Sequence, residues 1–313
     1  MKNVYVIVVT YNGIKWIEEC LTSLNKSSLA NSIIVVDNNS NDNTVDFVKS
    51  EFPNVILLEQ KENLGFGKAN NIGMMFALKQ NADFIFLLNQ DAFVDENTIE
   101  SLVYASQDNP EYDVLSPIQL DYSGSLLEHY FFKFMVEESF NNFFSDFILK
   151  NDLKSVYDVH YIQAAAWFLP INTINKIGGF DPIFYHYGED NNYCQRLLYH
   201  NMKIGISPNI FIRHDSHKPK TDHTQLFSKK YYDNYLRVVY FKYADINRNF
   251  GKQEIRNEIK KNYILILKSL VKFNLGKVFG YCKQTLLFQK NIKVIMVSRA
   301  RNKVIHLNHL QSE

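Results

Sequence analysis

Residues 4–9 form an unbroken apolar run rich in β-branched side chains, and it stops at the polar turn Thr10-Tyr11-Asn12-Gly13. Comparable runs recur at residues 33–36, 55–58 and 84–88. The runs at 4–9, 33–36 and 84–88 predict strands buried on both faces, and 55–58 predicts a third strand in sequence order. Between them the apolar positions switch to helical spacing. Ile14, Ile17, Leu21 and Leu24 follow the first run, Val45 and Val48 the second, Ala69, Ile72, Gly73 and Phe76 the third, and Ile99, Leu102 and Val103 the fourth. Asn12 and Asp95 are expected to cap the first and last of these helices. A βαβαβαβ order requires a mostly parallel, Rossmann-like sheet with right-handed crossovers and helices on its faces.

A strand buried on both faces cannot hold polar side chains, so they gather where it ends. In an open α/β sheet that edge, beyond the carboxyl ends of the strands, is where ligands bind. Asp37-Asn38-Asn39-Ser40-Asn41-Asp42 follows the second strand and Asn89-Gln90-Asp91 the fourth. The loop Glu62-Asn63-Leu64-Gly65-Phe66-Gly67-Lys68 follows the third. Asp91 is a carboxylate on a rigid strand end, able to hold a hard divalent cation, which prefers oxygen ligands. The plainer alternative is an Asp that only stabilises a turn.

The later chain is less regular. Phe131, Phe132, Phe134, Phe140, Phe143, Phe144 and Phe147 crowd residues 117–160 without clear periodicity. A helical lid packed on the sheet is the expected reading, and an acceptor-binding platform the alternative. A strand is predicted at 161–169 and a short helix at 172–177, stopped by Gly178-Gly179. Glu189-Asp190 opens a helix with Cys194, Leu197 and Leu198 inward, ending at Asn201. Short strands follow at 204–207 and 210–213, the second ending in His214-Asp215-Ser216-His217. From Gln225 the pattern is helical to the end, with breaks near Gly251 and Gly276. The expected division is therefore an α/β domain over 1–224 and a helical extension over 225–313.

Composition adds three points. A hydrophobic share of 46% is that of a globular protein. The net charge of +1 hides an asymmetry: residues 251–303 carry net +11 and residues 1–250 net −9. Three widely spaced cysteines, Cys20, Cys194 and Cys282, suggest neither a disulfide frame nor a zinc site, which suits a reducing compartment. No run of about 18 uncharged apolar residues predicts a membrane-spanning helix. In the basic segment Ile255, Ile259, Tyr263, Ile266 and Leu270 recur at helical spacing between lysines. Such a helix can lie in an anionic membrane interface or cap the domain with a solvated lysine face. Nucleic acid is a poor partner, because an acidic body repels its phosphates.

In order, the polar segments are VVTYNG at 8–13, VVDNNSND at 35–42, ENLGFGKANN at 62–71, LNQDA at 88–92, GGFD at 178–181, GEDNNYCQRL at 188–197, and His214. Their order and spacing over residues 3–217 resemble the family 2 inverting glycosyltransferases with the glycosyltransferase A-type (GT-A) fold. The likeness is greatest to the rhamnosyltransferase-like branch that builds bacterial surface polysaccharides. The resemblance implies a UDP- or dTDP-sugar donor, dTDP-rhamnose among the candidates, and a glycan or lipid-linked saccharide acceptor. It also implies a cytoplasmic location, with peripheral contact at the inner face of the membrane through the basic helices. Thr10, Tyr11 and Asn12 would border the nucleotide base, Tyr11 by stacking, and Asp37, followed by Asn38, would accept from the imide N–H of uracil or thymine. Asn63, Gly65, Lys68 and Asn70 would border the nucleotide and its phosphates. Asn89 and Asp91, with Gln90 between them, stand at the family's Asp-x-Asp metal motif. Asp91 would bind Mg²⁺ or Mn²⁺, with His214 as a further ligand.

Asp190, in the Glu189-Asp190 pair, matches the family's general base, Asp190 being favoured over Glu189. Its place at a helix N-terminus would keep it ionised. Three departures stand beside the match. Asn89 replaces an acid, which leaves weaker metal dependence open. Asn192 replaces the last acid of a Glu-Asp-x-Asp pattern. His217 could serve in place of His214. A non-catalytic nucleotide-sugar-binding module of the same fold is the alternative these changes support. A nicotinamide-dependent oxidoreductase is disfavoured, because Gly65-x-Gly67 is followed by Asn70 where a third glycine is needed.

Overall fold

The computed structural model describes residues 2–137, 141–216 and 224–310. The chain forms two compact units, residues 1–218 with 305–313, and residues 219–304.

The first unit opens as its hydrophobic pattern demands, with β1 (Val4–Thr10), α1 (Ile17–Asn25), β2 (Ser32–Asp37), α2 (Thr44–Glu51), β3 (Ile56–Glu59), α3 (Phe66–Lys79) and β4 (Phe84–Asn89). β3, β2, β1 and β4 lie side by side and run parallel. The register sets Thr10 opposite Asp37 and Val9 opposite Asn89. Three polar strand ends are thereby aligned on one edge. Alternation along each strand sorts the core. Val4, Val6, Val8, Phe86 and Leu88 meet Ile17, Leu21, Leu24, Ile99 and Leu102 on one face. Ile7, Ile34, Val36, Ile85 and Leu87 meet Ala69, Met74, Ala77 and Trp167 on the other.

The sheet then turns mixed. The next elements are β5 (Ala92–Val94), α4 (Thr98–Asp108), β6 (Tyr112–Leu120), α5 (His129–Glu137), α6 (Asn141–Leu149), β7 (Tyr157–Val159), β8 (Ala166–Pro170), α7 (Ile171–Ile177), α8 (Glu189–Tyr199) and β9 (Lys203–His214). The strand order is β3-β2-β1-β4-β8-β6-β9-β5, with β7 beside β9. β8 runs antiparallel to β4, so the segment preceding it sits at the carboxyl end of β4, where the Asn89 N–H donates to the Ala165 carbonyl.

Several expectations are corrected here. Helix α1 begins at Ile17 rather than at Asn12, and Ile14 lies exposed before it. Asn12 instead takes φ +50° and accepts from the Asn41 N–H. Asp95 does not cap α4; the cap position is Asn97, and the Asp95 N–H donates to Thr98. The strand expected over 161–169 pairs only from Ala166, because β4 has ended and offers no further ladder partner. The two short strands expected around Pro208 are one, β9, whose register against β6 shifts between Pro117 and Ile118. Such a bulge absorbs residues that cannot join the ladder. β6 went unread because Ser116, Pro117 and Gln119 interrupt its apolar pattern, yet Ser116 and Gln119 are fully buried. α5 and α6 supply the helices expected over part of 117–160, with Phe131 buried in the core and Phe132 and Phe147 exposed.

The chain does not stay helical to its end. Residues 305–310 pack within the first unit, where Leu310 is buried and the Gly179 N–H donates to the Asn308 carbonyl. Gly178 takes φ +74°, and a Cβ there would lie 1.9 Å from that carbonyl oxygen. The paired glycines therefore serve a close backbone approach as well as a helix stop.

The second unit holds α9 (Lys229–Tyr243), α10 (Lys252–Val271) and α11 (Leu275–Asn302). Its core is small: Val239, Tyr243, Phe288 and Ile295, ringed by half-buried aromatic and aliphatic residues. Buried polar groups complete it. Tyr243 donates to Glu258, Gln284 donates to Asn262, and Arg299 donates to the carbonyls of Tyr243 and Asp245. Among the described residues no helix is long and apolar enough to cross a membrane.

Candidate active site

The turns after β1, β2 and β4 are bound to one another. Gln90 Oε1 accepts from the Thr10 hydroxyl at 2.7 Å and from the Tyr11 N–H at 3.1 Å. A Cβ at Gly13 would lie 2.3 Å from both Gln90 Oε1 and Thr10 Oγ1, so a side chain there would have to push the Gln90 amide and the Thr10 hydroxyl aside. Asn38 is buried. Its Nδ2 donates to Asn63 Oδ1 and the Gly65 carbonyl, and its Oδ1 accepts from the Leu64 N–H. Asp37 is also buried, and its two oxygens accept from the hydroxyl and N–H of Ser40. Asn70 is buried with Nδ2 donating to the Phe66 carbonyl. Thr10, Asp37, Asn38, Asn70 and Gln90 thus spend hydrogen bonds on shaping the edge. Tyr11 and Lys68 are exposed on it, and Asn63 and Asn89 are half-buried. Gly65 takes φ +79° and lies against the Tyr185 carbonyl, 1.9 Å from where a Cβ would be. Tyr185 also donates to the Asn63 carbonyl at 3.0 Å, so the 183–188 loop lies on the 62–68 loop.

Pairing of β5 with β9 sets Ala92 opposite His214 and brings the Asp91 carboxylate to 3.3 Å from His214 Nε2. Two adjacent ligands of an octahedral ion with bonds of about 2.1 Å are separated by roughly 3 Å, so this pair fits one divalent cation. No third His, Cys, Asp or Glu joins them among the described residues. Such a cation would keep open positions for water or phosphate oxygens, as Mg²⁺ commonly does. His214 is buried, and its Nδ1 has no hydrogen-bond partner among the described residues, so the Asp91 carboxylate at Nε2 is the polar contact of the ring. His217 lies outside the described residues.

Asp190 and Glu189 occupy the first turn of α8, after Gly188 at φ +100°. Glu189 is buried against Gly67 of the 62–68 loop, whereas Asp190 is half-buried. Asp190 Oδ2 accepts from the Tyr161 hydroxyl at 2.9 Å and Oδ1 from the Asn191 N–H at 2.7 Å. Burial pushes the Asp190 pKa above the ordinary carboxylate value, against those hydrogen bonds. Desolvation is the larger effect on this group, and the hydrogen bonds offset it only in part. Burial, then the Asp190 charge, pushes the Tyr161 phenol up, so it remains a donor. A base of raised pKa held by a neutral donor is suited to accepting a proton from a hydroxyl.

Residues 5–164 match the family described as glycosyl transferase family 2, just over half of the chain. The chain belongs to that family. It is 25% identical over 224 residues to the dTDP-rhamnosyl transferase RfbF of Shigella flexneri, covering 68% of this chain and 69% of that protein. It is 26% identical over 215 residues to the N-acetylglucosaminyl-diphospho-decaprenol L-rhamnosyltransferase of Mycobacterium tuberculosis, covering 61% and 69% respectively. The fold matches S. aureus TarS 1-349, solved in complex with UDP, with a TM-score of 0.54 at 18% identity over 99% of this chain and 89% of that one. The sheet and helices are accordingly those of a GT-A-type glycosyltransferase, and the chain is a family 2 glycosyltransferase.

Four contributors to the glycosyltransferase edge escaped the sequence pattern. Tyr161, read as the start of a strand, holds Asp190. Asp215 accepts from Trp16 Nε1 and Lys15 Nζ, tying the end of β9 to the entrance of α1. Asn71 binds the Phe180 N–H and carbonyl and the His309 carbonyl, joining α3 to the GGFD turn. Glu128 accepts from Ser216, two residues beyond His214, and from the Tyr130 and Phe131 N–H groups. Although burial opposes it, these bonds hold its pKa below the usual range. The motif strings contained Asn71 and abutted Asp215, but nothing local marked Tyr161 or Glu128.

Proposed function

We propose that this glycosyltransferase inverts the anomeric centre as it moves a sugar from a UDP- or dTDP-sugar, dTDP-rhamnose foremost, to a hydroxyl of a glycan or lipid-linked saccharide. Cell-surface polysaccharide synthesis is the setting. The observation that carries this reading is the half-buried Asp190, held by Tyr161 beside the loop that Gly65 and Gly67 bring close. The names of the two rhamnosyltransferases support the donor, and the diphospho-decaprenol of one supports a lipid-linked acceptor.

The residues divide the work as follows. Tyr11 stacks on the base, and Asp37 reads the imide if Ser40 yields one carboxylate lone pair. Lys68 places positive charge near the phosphates, and the 62–68 backbone approaches them closely. Asp91 and His214, with Asn89 beside them, would hold Mg²⁺ or Mn²⁺, which neutralises charge on the departing diphosphate. Asp190 takes the proton of the acceptor hydroxyl as its oxygen bonds to the anomeric carbon and the carbon–diphosphate bond breaks on the opposite face. One carboxylate suffices for that single displacement, unlike the paired carboxylates of glycoside hydrolysis.

The test is release of nucleoside diphosphate from UDP- and dTDP-sugars with Mn²⁺, Mg²⁺ or EDTA, with and without lipid-linked acceptor extract. Donor-specific, metal-dependent release that disappears in Asp190→Asn and Asp91→Ala is expected. Intact nucleotide binding with no release, even with the acceptor extract, would overturn the mechanism.

A further inference from the structure

From Ile259 to Lys303 the chain holds nine lysines, two arginines and no acidic residue. Helices α10 and α11 run antiparallel, with Gln284 Nε2 donating to Asn262 Oδ1 at 2.8 Å across the pair. The chain reverses at Lys272, Phe273 and Asn274, where Phe273 takes φ +52° and Asn274 caps α11 through the Lys277 N–H. The core of this unit lies wholly on the side of that hydrogen bond away from the turn: Val239, Tyr243, Phe288 and Ile295, with Ile255, Ile259 and Ile292 around them. Towards the turn α10 and α11 bury only Ile266, Ser269 and Gly280, the last against Phe227 and the Tyr232 hydroxyl. Leu267, Leu270, Val271, Phe273, Leu275 and Phe279 are all exposed, Phe273 to 93%. Residues 270–277 have no buried member.

A contiguous apolar end of this kind marks an interaction site. Its charge narrows the partner, since Lys268, Lys272, Lys277 and Lys283 are exposed beside it. A second copy meeting this one tip to tip would bring its own lysines against these without an acidic counterpart in α11. A nucleic acid offers phosphates but nothing to receive phenylalanine, leucine and valine. An anionic bilayer supplies both, acyl chains for the apolar side chains and headgroup phosphates for the lysines, whose stems reach along the interface. We propose that the turn end of the α10–α11 hairpin is a membrane-docking tip. It inserts Leu270, Val271, Phe273, Leu275 and Phe279, with Lys268, Lys272 and Lys277 on lipid phosphates. This sharpens the expectation of a helix lying along the membrane, because the inner faces of α10 and α11 are used to pack the unit. Docking of this kind is independent of donor and metal.

The experiment is flotation of the full chain, without donor or metal, on vesicles of phosphatidylcholine with or without phosphatidylglycerol. Binding to the anionic vesicles that weakens with added salt is expected. Combined Val271→Ser, Phe273→Ser and Leu275→Ser should lower the bound-to-free ratio about tenfold or more, since each side chain loses acyl contact. Lys268→Gln with Lys272→Gln and Lys277→Gln should remove the preference for anionic lipid. None of these side chains is in the core, so unchanged thermal unfolding controls for folding. Phe273→Trp gives a second readout, a blue-shifted and brighter emission on vesicle addition. Equal flotation of the serine variant, or no spectral change at Phe273→Trp, would overturn the proposal. So would a wild-type oligomer that Phe273→Ser disperses in the absence of any vesicle binding, which would assign the tip to a second copy.

Discussion

Two regions on the same edge of the sheet use the same kinds of side chain to opposite ends. Around β1, β2 and β4, Thr10, Asp37, Asn38 and Gln90 satisfy one another or neighbouring backbone, and the turns become one rigid piece. Around β5, β9 and α8, Asp91 and Asp190 keep part of their surface open, and each has one close side-chain neighbour outside its own turn, His214 or Tyr161. Motif membership does not separate the two groups. A polar residue in a signature string can hold the string in shape, and the partly open carboxylates depend on that shape.

The sharpest way to break this comparison is Asp190→Asn. Removing a general base costs 10²–10⁴-fold, so kcat should fall about 10³-fold. The variant should nevertheless be at least as stable at neutral pH. A carboxylate whose folded pKa is raised stabilises the fold when protonated, and that contribution is lost as pH rises through the folded value. A higher melting temperature with lost turnover would confirm both halves; a rate within tenfold of wild type would remove Asp190 from the chemistry. Asp91→Ala follows, with a loss of about 10²-fold in kcat and of the response to Mn²⁺, read by metal titration. Gln90→Ala should act differently from its neighbour Asp91. It strands the buried Thr10 hydroxyl, costing about 1–3 kcal/mol in denaturant unfolding.

Smaller effects sharpen the picture. Tyr11→Ala should raise the donor KM about tenfold with kcat unchanged, the scale of one lost base–aromatic stack. An unchanged KM would mean that Tyr11 does not meet the base. Tyr161→Phe should lower kcat only a few-fold, since general-base catalysis survives a change in the base's setting. It removes a hydrogen bond that favours the charged form of Asp190, so the acid limb of the pH–rate profile should move to higher pH. A profile that does not move would make Tyr161 a packing residue alone.

Apolar runs of four to six residues and the switch to helical spacing were enough to foresee β1 to β4, their helices and the edge on which the polar strand ends align. For β1, β2 and β4 burial on both faces leaves such runs no other role, whereas β3, at the end of the sheet, is only half-buried. The family was legible for the same reason, because its motifs sit at strand ends whose spacing the sheet imposes. Less could be read where tertiary contacts override local pattern. β6 buries Ser116 and Gln119, β9 crosses Pro208 by a bulge, and 305–310 return to bury Leu310 in the first unit. Which carboxylate is spoken for was equally hidden. Asp37 and Asp190 look alike in the chain, and only the packing of Ser40 and Tyr161 around them separates a carboxylate bound within its own turn from one held by a distant phenol at a raised pKa. Hydrophobic period is a property of neighbours in sequence, whereas desolvation and hydrogen-bond partnership come from residues far apart in it.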